Sequence, residues 1–145
     1  MSSLFNPTPR QRDLGLLVLR VILGIVFVVH GHQKLFGMGF AGVQGAFAHM
    51  GAPLPQVTGP LIALLEFFGG IALIVGFLTR LVSLGLAADM LGAIVLVHLA
   101  KGLTGPGGYE LVLMLMGASL ALLLGGAGDF SIDALIGRRT RTRTR

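Results

Sequence analysis

The chain has 145 residues, of which 54% are hydrophobic and 12% charged, with a net charge of +5. Soluble domains carry about 25% charged residues, so this composition excludes an ordinary water-facing globule. Cysteine is absent, which excludes thiol–disulfide exchange, iron–sulfur ligation and cysteine zinc sites, and leaves redox chemistry to a bound cofactor or a partner subunit.

Residues 1–13 are polar, with Pro7, Pro9, Arg10 and Arg12, and read as a basic lead-in. A first apolar run follows from Leu14 to about Phe36, long enough to cross a bilayer at about 20 residues. It ends in His30, Gly31, His32, Gln33 and Lys34, not in small residues, so it reads as a retained anchor and not a cleaved signal. The Gly-rich connection from Gly37 to Gly59 holds a candidate interfacial helix at Ala41–Met50, with Phe40, Val43, Phe47 and Met50 at helical spacing. Pro53 and Pro55 are expected to end it.

A second span is expected from Pro60, at a first helical turn where proline is tolerated, to Leu78. Thr79 and Arg80 turn the chain into a third span, Leu81 to about Ala100. A glycine-rich turn leads to the fourth, Tyr109 to about Gly126, after which Ser131 and Asp133 are candidates to cap a last turn. The expected architecture is all-α: an integral membrane four-helix bundle over 14–133, followed by a basic tail over 134–145. Glycines within the spans, among them Gly24, Gly69 and Gly70, let helices approach closely.

Four spans put both termini on one side, together with Arg10, Arg12, Arg80 and the tail arginines Arg138, Arg139, Arg141, Arg143 and Arg145. Only Lys34 and Lys101 fall opposite, so the shared side, with both the N and C termini, is expected to be cytoplasmic. The tail fits anionic lipid headgroups better than nucleic acid, because the remaining body is close to neutral.

Ionisable groups inside the spans are the candidate functional residues, since each is costly at membrane depth. Counted from the cytoplasmic ends at a rise of 1.5 Å per residue, Arg20 lies about 9 Å deep, Asp89 about 12 Å and Glu66 about 18 Å. These three are expected to form a buried polar network, serving either to hold the bundle in register or to leave one acid beside a ligand. Arg20, Gly24, Phe27, Gly31 and Lys34 form one stripe on the first span. Glu66, Gly70, Leu73 and Phe77 form another on the second, and the two are expected to face each other.

Nearer the outer face, His30 and His98 share a depth of about 24–26 Å and are joined by Lys34, Lys101, Tyr109 and Glu110. Haem or metal ligation is the weaker reading, because lysines oppose a cation and no local His spacing is present; a hydrated polar rim is the plainer one. A quinone fits better than a metal: it lives in the bilayer and takes hydrogen bonds at two oxygens. His30, Lys34, His98, Tyr109 and Glu110 are the candidate ligand-binding residues, with Phe27, Phe67 and Phe68 as ring neighbours. No metal site is expected.

Several pieces of the chain together resemble the DoxX family. They are Arg20-x3-Gly24, His30-Gly31-x2-Lys34-Leu35, Glu66-x2-Gly69-Gly70, Gly76-x2-Thr79-Arg80, Gly108-Tyr109-Glu110, Gly126-x-Gly128 and Ser131-Ile132-Asp133. The resemblance spans about Leu14 to Asp133. It implies a small four-helix protein of the bacterial inner membrane, linked to quinone or catechol detoxification and to membrane complexes handling oxidative and thiol stress. It carries no family-wide catalytic assignment. Two functions follow as expectations. One is an oxidoreductase-associated subunit handling a quinone or small aromatic. The other is a non-enzymatic membrane anchor or assembly partner for soluble redox enzymes, with protein subunits of a redox complex or further copies of the chain as partners. A transporter is disfavoured, because four short helices leave little room for two alternating states.

Overall fold

The computed structural model describes residues 6–142, and all regular structure among these residues is helical. The helices are α1 (Pro9–His32), α2 (Gly39–His49), α3 (Pro55–Val75), α4 (Thr79–Ala93), α5 (Glu110–Gly125) and α6 (Ile132–Thr142). Two π-helical stretches interrupt the regular winding. Gln33–Met38 joins α1 to α2, and Ile94–His98 prolongs α4 before a short 3-10 turn at Leu99–Lys101. Three continuous helical stretches, Pro9–His49, Pro55–Val75 and Thr79–Lys101, are long and apolar enough to cross a membrane; α5 is as apolar but shorter.

The expected lead-in over 1–13 is partly helix. Thr8 Oγ1 accepts from the Gln11 amide at 3.3 Å while Gln11 Oε1 accepts from the Thr8 amide at 2.7 Å, and Pro9 takes the first helical position. This reciprocal cap with proline behind it starts α1 five residues before the apolar run.

The second span likewise begins earlier than expected, at Pro55, which leaves Pro60 inside α3. A proline there cannot donate to the carbonyl four residues back. Gln44 of α2 takes that carbonyl instead, its Nε2 donating to Gln56 O at 3.1 Å. Gly59 meanwhile lets α2 close on α3, because a Cβ there would lie 3.1 Å from Val43 Cγ1.

Two stripes define the main seam. Gly24 and Gly31 of α1 lie against the α3 backbone at Gly70 and Phe67, with Leu23, Phe27 and Leu73 buried alongside. The facing stripes are therefore as expected except for Phe77, which falls beyond α3 and is exposed. Leu86, Met90 and Ile94 of the α4 arm join Val112 and Leu122 of α5 in the same core.

At one end of the molecule the connections interlock. Gly76 adopts φ +71° to end α3, and the Asp133 amide donates to its carbonyl at 2.9 Å. The Asp133 carboxylate accepts from Leu78 N at 2.8 Å and Thr79 N at 2.9 Å, so it caps α4. Capping of α6 falls to Ser131, whose Oγ accepts from Ala134 N at 3.1 Å. The arginine-rich segment thus starts as helix, to Thr142; residues 143–145 lie outside the described residues.

Candidate ligand cavity

Arg20, Glu66 and Asp89 do not form one network. Arg20 is 1% exposed, yet its guanidinium turns toward the end of α3 and away from both acids. Its Nη1 donates to Leu73 O at 3.1 Å and to Ile74 O, and its Nη2 donates to Phe130 O. These carbonyls lie at the C-terminal turn of α3, where Leu73 O also accepts from Gly76 N at 3.1 Å, and in the loop beside it. Arg80 acts in the same way on α5, donating to Leu124 O at 3.1 Å. Depth alone suggested an ion pair for Arg20, but backbone carbonyls on two segments at the same level engage both terminal nitrogens of its fork, while Nε has no partner.

The partner of Glu66 is Lys34. Its Nζ lies 2.5 Å from Glu66 Oε2, with the lysine side chain 23% exposed and the glutamate 4%. Lys34 belongs to the π-helical stretch at Gln33–Met38, and wide turns of this kind often lie at functional sites. Asp89 on α4 faces the pair, its carboxyl within electrostatic reach of both Glu66 and Lys34. Its carboxyl shares a hydrogen bond with that of Glu66, and no amide, hydroxyl or lysine donor reaches its buried Oδ2.

These three groups line a cavity of about 750 Å³, within the range of sites that take small organic ligands. Phe27, Met90 and Leu115 give it an apolar wall, while Phe47 of α2, Met50 just after it and the glycine loop before α5 form its margin. His30, His98 and Glu110 also line it. His30 Nδ1 lies 2.8 Å from Val26 O and His98 Nδ1 2.7 Å from Gly107 O, so each ring is held by a backbone carbonyl. Both leave Nε2 uncommitted to any protein partner described by these bonds.

Tyr109 lines no part of the cavity; it packs against the hydrophobic core at the foot of α5. Phe67 and Phe68 are also outside it. They form an edge-to-face pair with centroids 5.2 Å apart, continued by Phe36 and His32 on the outer surface. The α2 contribution, Phe47 and Met50, was visible in sequence only as an interfacial stripe. Its inward role depends on the π-helical bend, which hydropathy does not report. No group of three or more His, Cys, Asp or Glu residues among the described residues is placed to hold a metal ion.

Comparison with known proteins agrees with this architecture. The DoxX family model matches residues 15–99. The chain is 36% identical to CatD of Bacillus subtilis, whose name calls it provisionally an oxidoreductase, over 86% of this chain and 88% of that protein. It is also 36% identical to the inner membrane protein YqjF of Escherichia coli, over 90% of this chain and 98% of that one. An uncharacterised membrane protein of Mycobacterium tuberculosis is 30% identical over 86% of this chain. No solved structure gives a significant match. With membrane-length apolar helices and relatives of this kind across nearly its whole length, the chain belongs to the DoxX family and is a multi-pass protein of the bacterial inner membrane.

Proposed function

We propose that this protein is an oxidoreductase-associated membrane subunit that binds a quinone or small aromatic molecule of similar size. The observation that carries the reading is the cavity: apolar on most of its wall, with Lys34, Glu66 and Asp89 gathered at one place in it. A bilayer-soluble ring needs apolar walls and a few fixed polar groups, and this site supplies both. His30, His98 and Glu110 form the outer polar rim of the same cavity. The provisional oxidoreductase name of the Bacillus subtilis relative supports the redox setting. Equilibrium dialysis of detergent-solubilised protein with duroquinone tests it, together with mass spectrometry of what co-purifies. Retention by the wild type and loss on Glu66→Gln are expected; no retention of duroquinone or of any aromatic compound by the wild type overturns it.

The second reading is a non-enzymatic anchor or assembly partner for soluble redox enzymes, favoured by the opposite end of the molecule. There Arg20, Arg80 and Asp133 are all committed to helix termini. On that reading Glu66→Gln and Arg20→Leu change folding yield or partner recovery and leave ligand retention untouched.

The proposed orientation has four spans, with both termini cytoplasmic and residues 134–145 as a tail facing anionic lipid headgroups. It follows from the basic residues grouped on that side. The chain has no cysteine, so Asn6→Cys and Thr104→Cys can each be labelled singly. Impermeant maleimide applied to intact spheroplasts is expected to reach residue 104 and not residue 6.

A further inference from the structure

The last helix carries its large apolar side chains on the outside. Ile132, Leu135 and Ile136 of α6 are 37%, 58% and 50% exposed, and their spacing of three and four residues sets them in one row along the helix. The row ends there, because residues 138–145 are arginine and threonine alone. A helix of 11 residues is marginal when left in water, and packing of an apolar face supplies most helical stability. Asp133, outside the row, ties α6 to the bundle through its amide to Gly76 O and its carboxylate to Leu78 N and Thr79 N.

What the row faces is set by its neighbour. Ile132 and Leu135 line a groove of about 310 Å³ together with Phe130 and Val75, both of which are also exposed. Val75 is the last residue of α3, a helix long and apolar enough to cross a membrane. The row therefore continues the outer surface of α3 at the level where that helix ends, and arginines follow directly. Arg138 pairs with Asp129 beside the groove at 3.1 Å. An apolar row with a cationic end, set at the end of a span, fits the boundary between acyl chains and anionic headgroups. Resting on the headgroup reading proposed above and extending it, we infer that α6 is an interfacial helix. Ile132, Leu135 and Ile136 sit among the acyl chains of the adjoining leaflet, and the arginine-rich end meets the lipid phosphates. Charge alone would hold a tail near the headgroups; the row adds burial and fixes which side of the helix faces down. That placement bears on the bundle, because Phe130 O, which accepts from Arg20, and Asp133, which caps α4, both stand at the entry to α6.

The chain has no cysteine, so Leu135→Cys, Ile136→Cys and Gly137→Cys can each carry a single nitrobenzoxadiazole label. Gly137 is the control: it lies off the row, and a Cβ there meets nothing within 4 Å. The labelled full-length proteins are placed in nanodiscs of phosphatidylcholine, with and without phosphatidylglycerol. Each label is then quenched separately by nitroxide on the acyl chains and by acrylamide in the water. Labels on residues 135 and 136 are expected to be quenched by the nitroxide and to lose quenching by acrylamide, and the label on residue 137 to do the reverse. Phosphatidylglycerol is expected to sharpen this alternation, and high salt to remove the gain.

Labels on residues 135 and 136 as open to acrylamide as the one on residue 137 overturn the inference, and leave the row to a soluble protein partner. If phosphatidylglycerol still lowers acrylamide quenching of all three, the headgroup reading survives that loss; if it changes none of them, both readings fall. Alternation unchanged by phosphatidylglycerol upholds the interfacial helix and sinks the preference for anionic lipid.

Discussion

Gly24 and Gly70 meet backbone to backbone: a Cβ on Gly24 would lie 2.6 Å from the Gly70 oxygen, and one on Gly70 2.7 Å from the Gly24 oxygen. Neither clash can be relieved by a side-chain rotation, because both obstacles are main chain. Gly24→Ala and Gly70→Ala are each expected to destabilise the protein by about 1–3 kcal/mol through forced separation of α1 and α3. Gly117, with open space around it, is the control, and Gly117→Ala should stay within about 0.5 kcal/mol of wild type. Thermal unfolding in detergent, followed by far-ultraviolet circular dichroism, separates them; equal midpoints for Gly70→Ala and Gly117→Ala would refute the contact.

The Lys34–Glu66 pair predicts an asymmetry among variants. Lys34→Met leaves a carboxylate whose side chain is only 4% exposed. Breaking a fully buried pair costs about 3–5 kcal/mol, and the partial exposure of Lys34 places this case below that range. The double variant Lys34→Met/Glu66→Leu is expected to be more stable than Lys34→Met alone, since no orphaned charge remains. The same unfolding measurement reads it, and a double variant less stable than the single would count against the pairing.

Arg20 predicts that charge is not what matters at its position. Its two terminal nitrogens reach three carbonyls on two separate segments, a geometry that a single ammonium cannot reproduce. Arg20→Lys should therefore lose most of what Arg20→Leu loses, on the order of 2 kcal/mol or more. Limited proteolysis should show the Phe130 loop released in both. Retention of aromatic ligands should be unaltered in whatever fraction remains folded.

Asp133 holds Leu78 in an unusual conformation. Leu78 sits at φ +49°, where an L-residue is strained by about 1–2 kcal/mol, and the Asp133 carboxylate fixes it through the amides of residues 78 and 79. Asp133→Ala is expected to cost about 1–2 kcal/mol as a lost cap. Asp133→Asn should fall between it and wild type, because one amide oxygen can replace one of the two carboxylate oxygens. Hydrogen exchange at the first turn of α4 is the direct readout, with faster exchange expected in the order wild type, Asn, Ala.

Much of the main framework is legible from residues alone. Hydropathy locates the apolar helices, and the Gly24 and Gly70 stripes predict which faces of α1 and α3 meet. The ends of helices are harder, because Thr8, Pro55 and Gln44 act through hydrogen bonds with no hydropathy signature. Arg20 is expected beside acids and is found on carbonyls for the same reason: carbonyls at a helix end are not written as a residue type. Lys34 shows the opposite case. With Gly24 opposite Gly70 on antiparallel helices, residue 34 falls opposite about residue 60, and its long side chain, tilted toward the helix N-terminus, reaches back toward Glu66. Register thus pointed to the pair, where counting depth to the Cα alone assigned Lys34 to the outer rim. The carboxyl contact between Asp89 and Glu66 lies beyond any such reasoning, since it depends on how α3 and α4 pack.

The 16 residues of α5 rise only about 24 Å against a hydrocarbon layer of about 30 Å. On the proposed four-span reading the shortfall is met at the ends of α5, one of which is the glycine turn ahead of it. That turn binds its own oxygens: Gly102 O and Leu103 O accept from Tyr109 N and Glu110 N, Gly105 O from Gly108 N, and Gly107 O contacts the His98 ring. Backbone sealed in this manner tolerates immersion among acyl chains, where bare loops do not. On the same four-span reading the cavity margin that this turn forms lies close to the lipid, which gives an apolar ligand a route in from the leaflet.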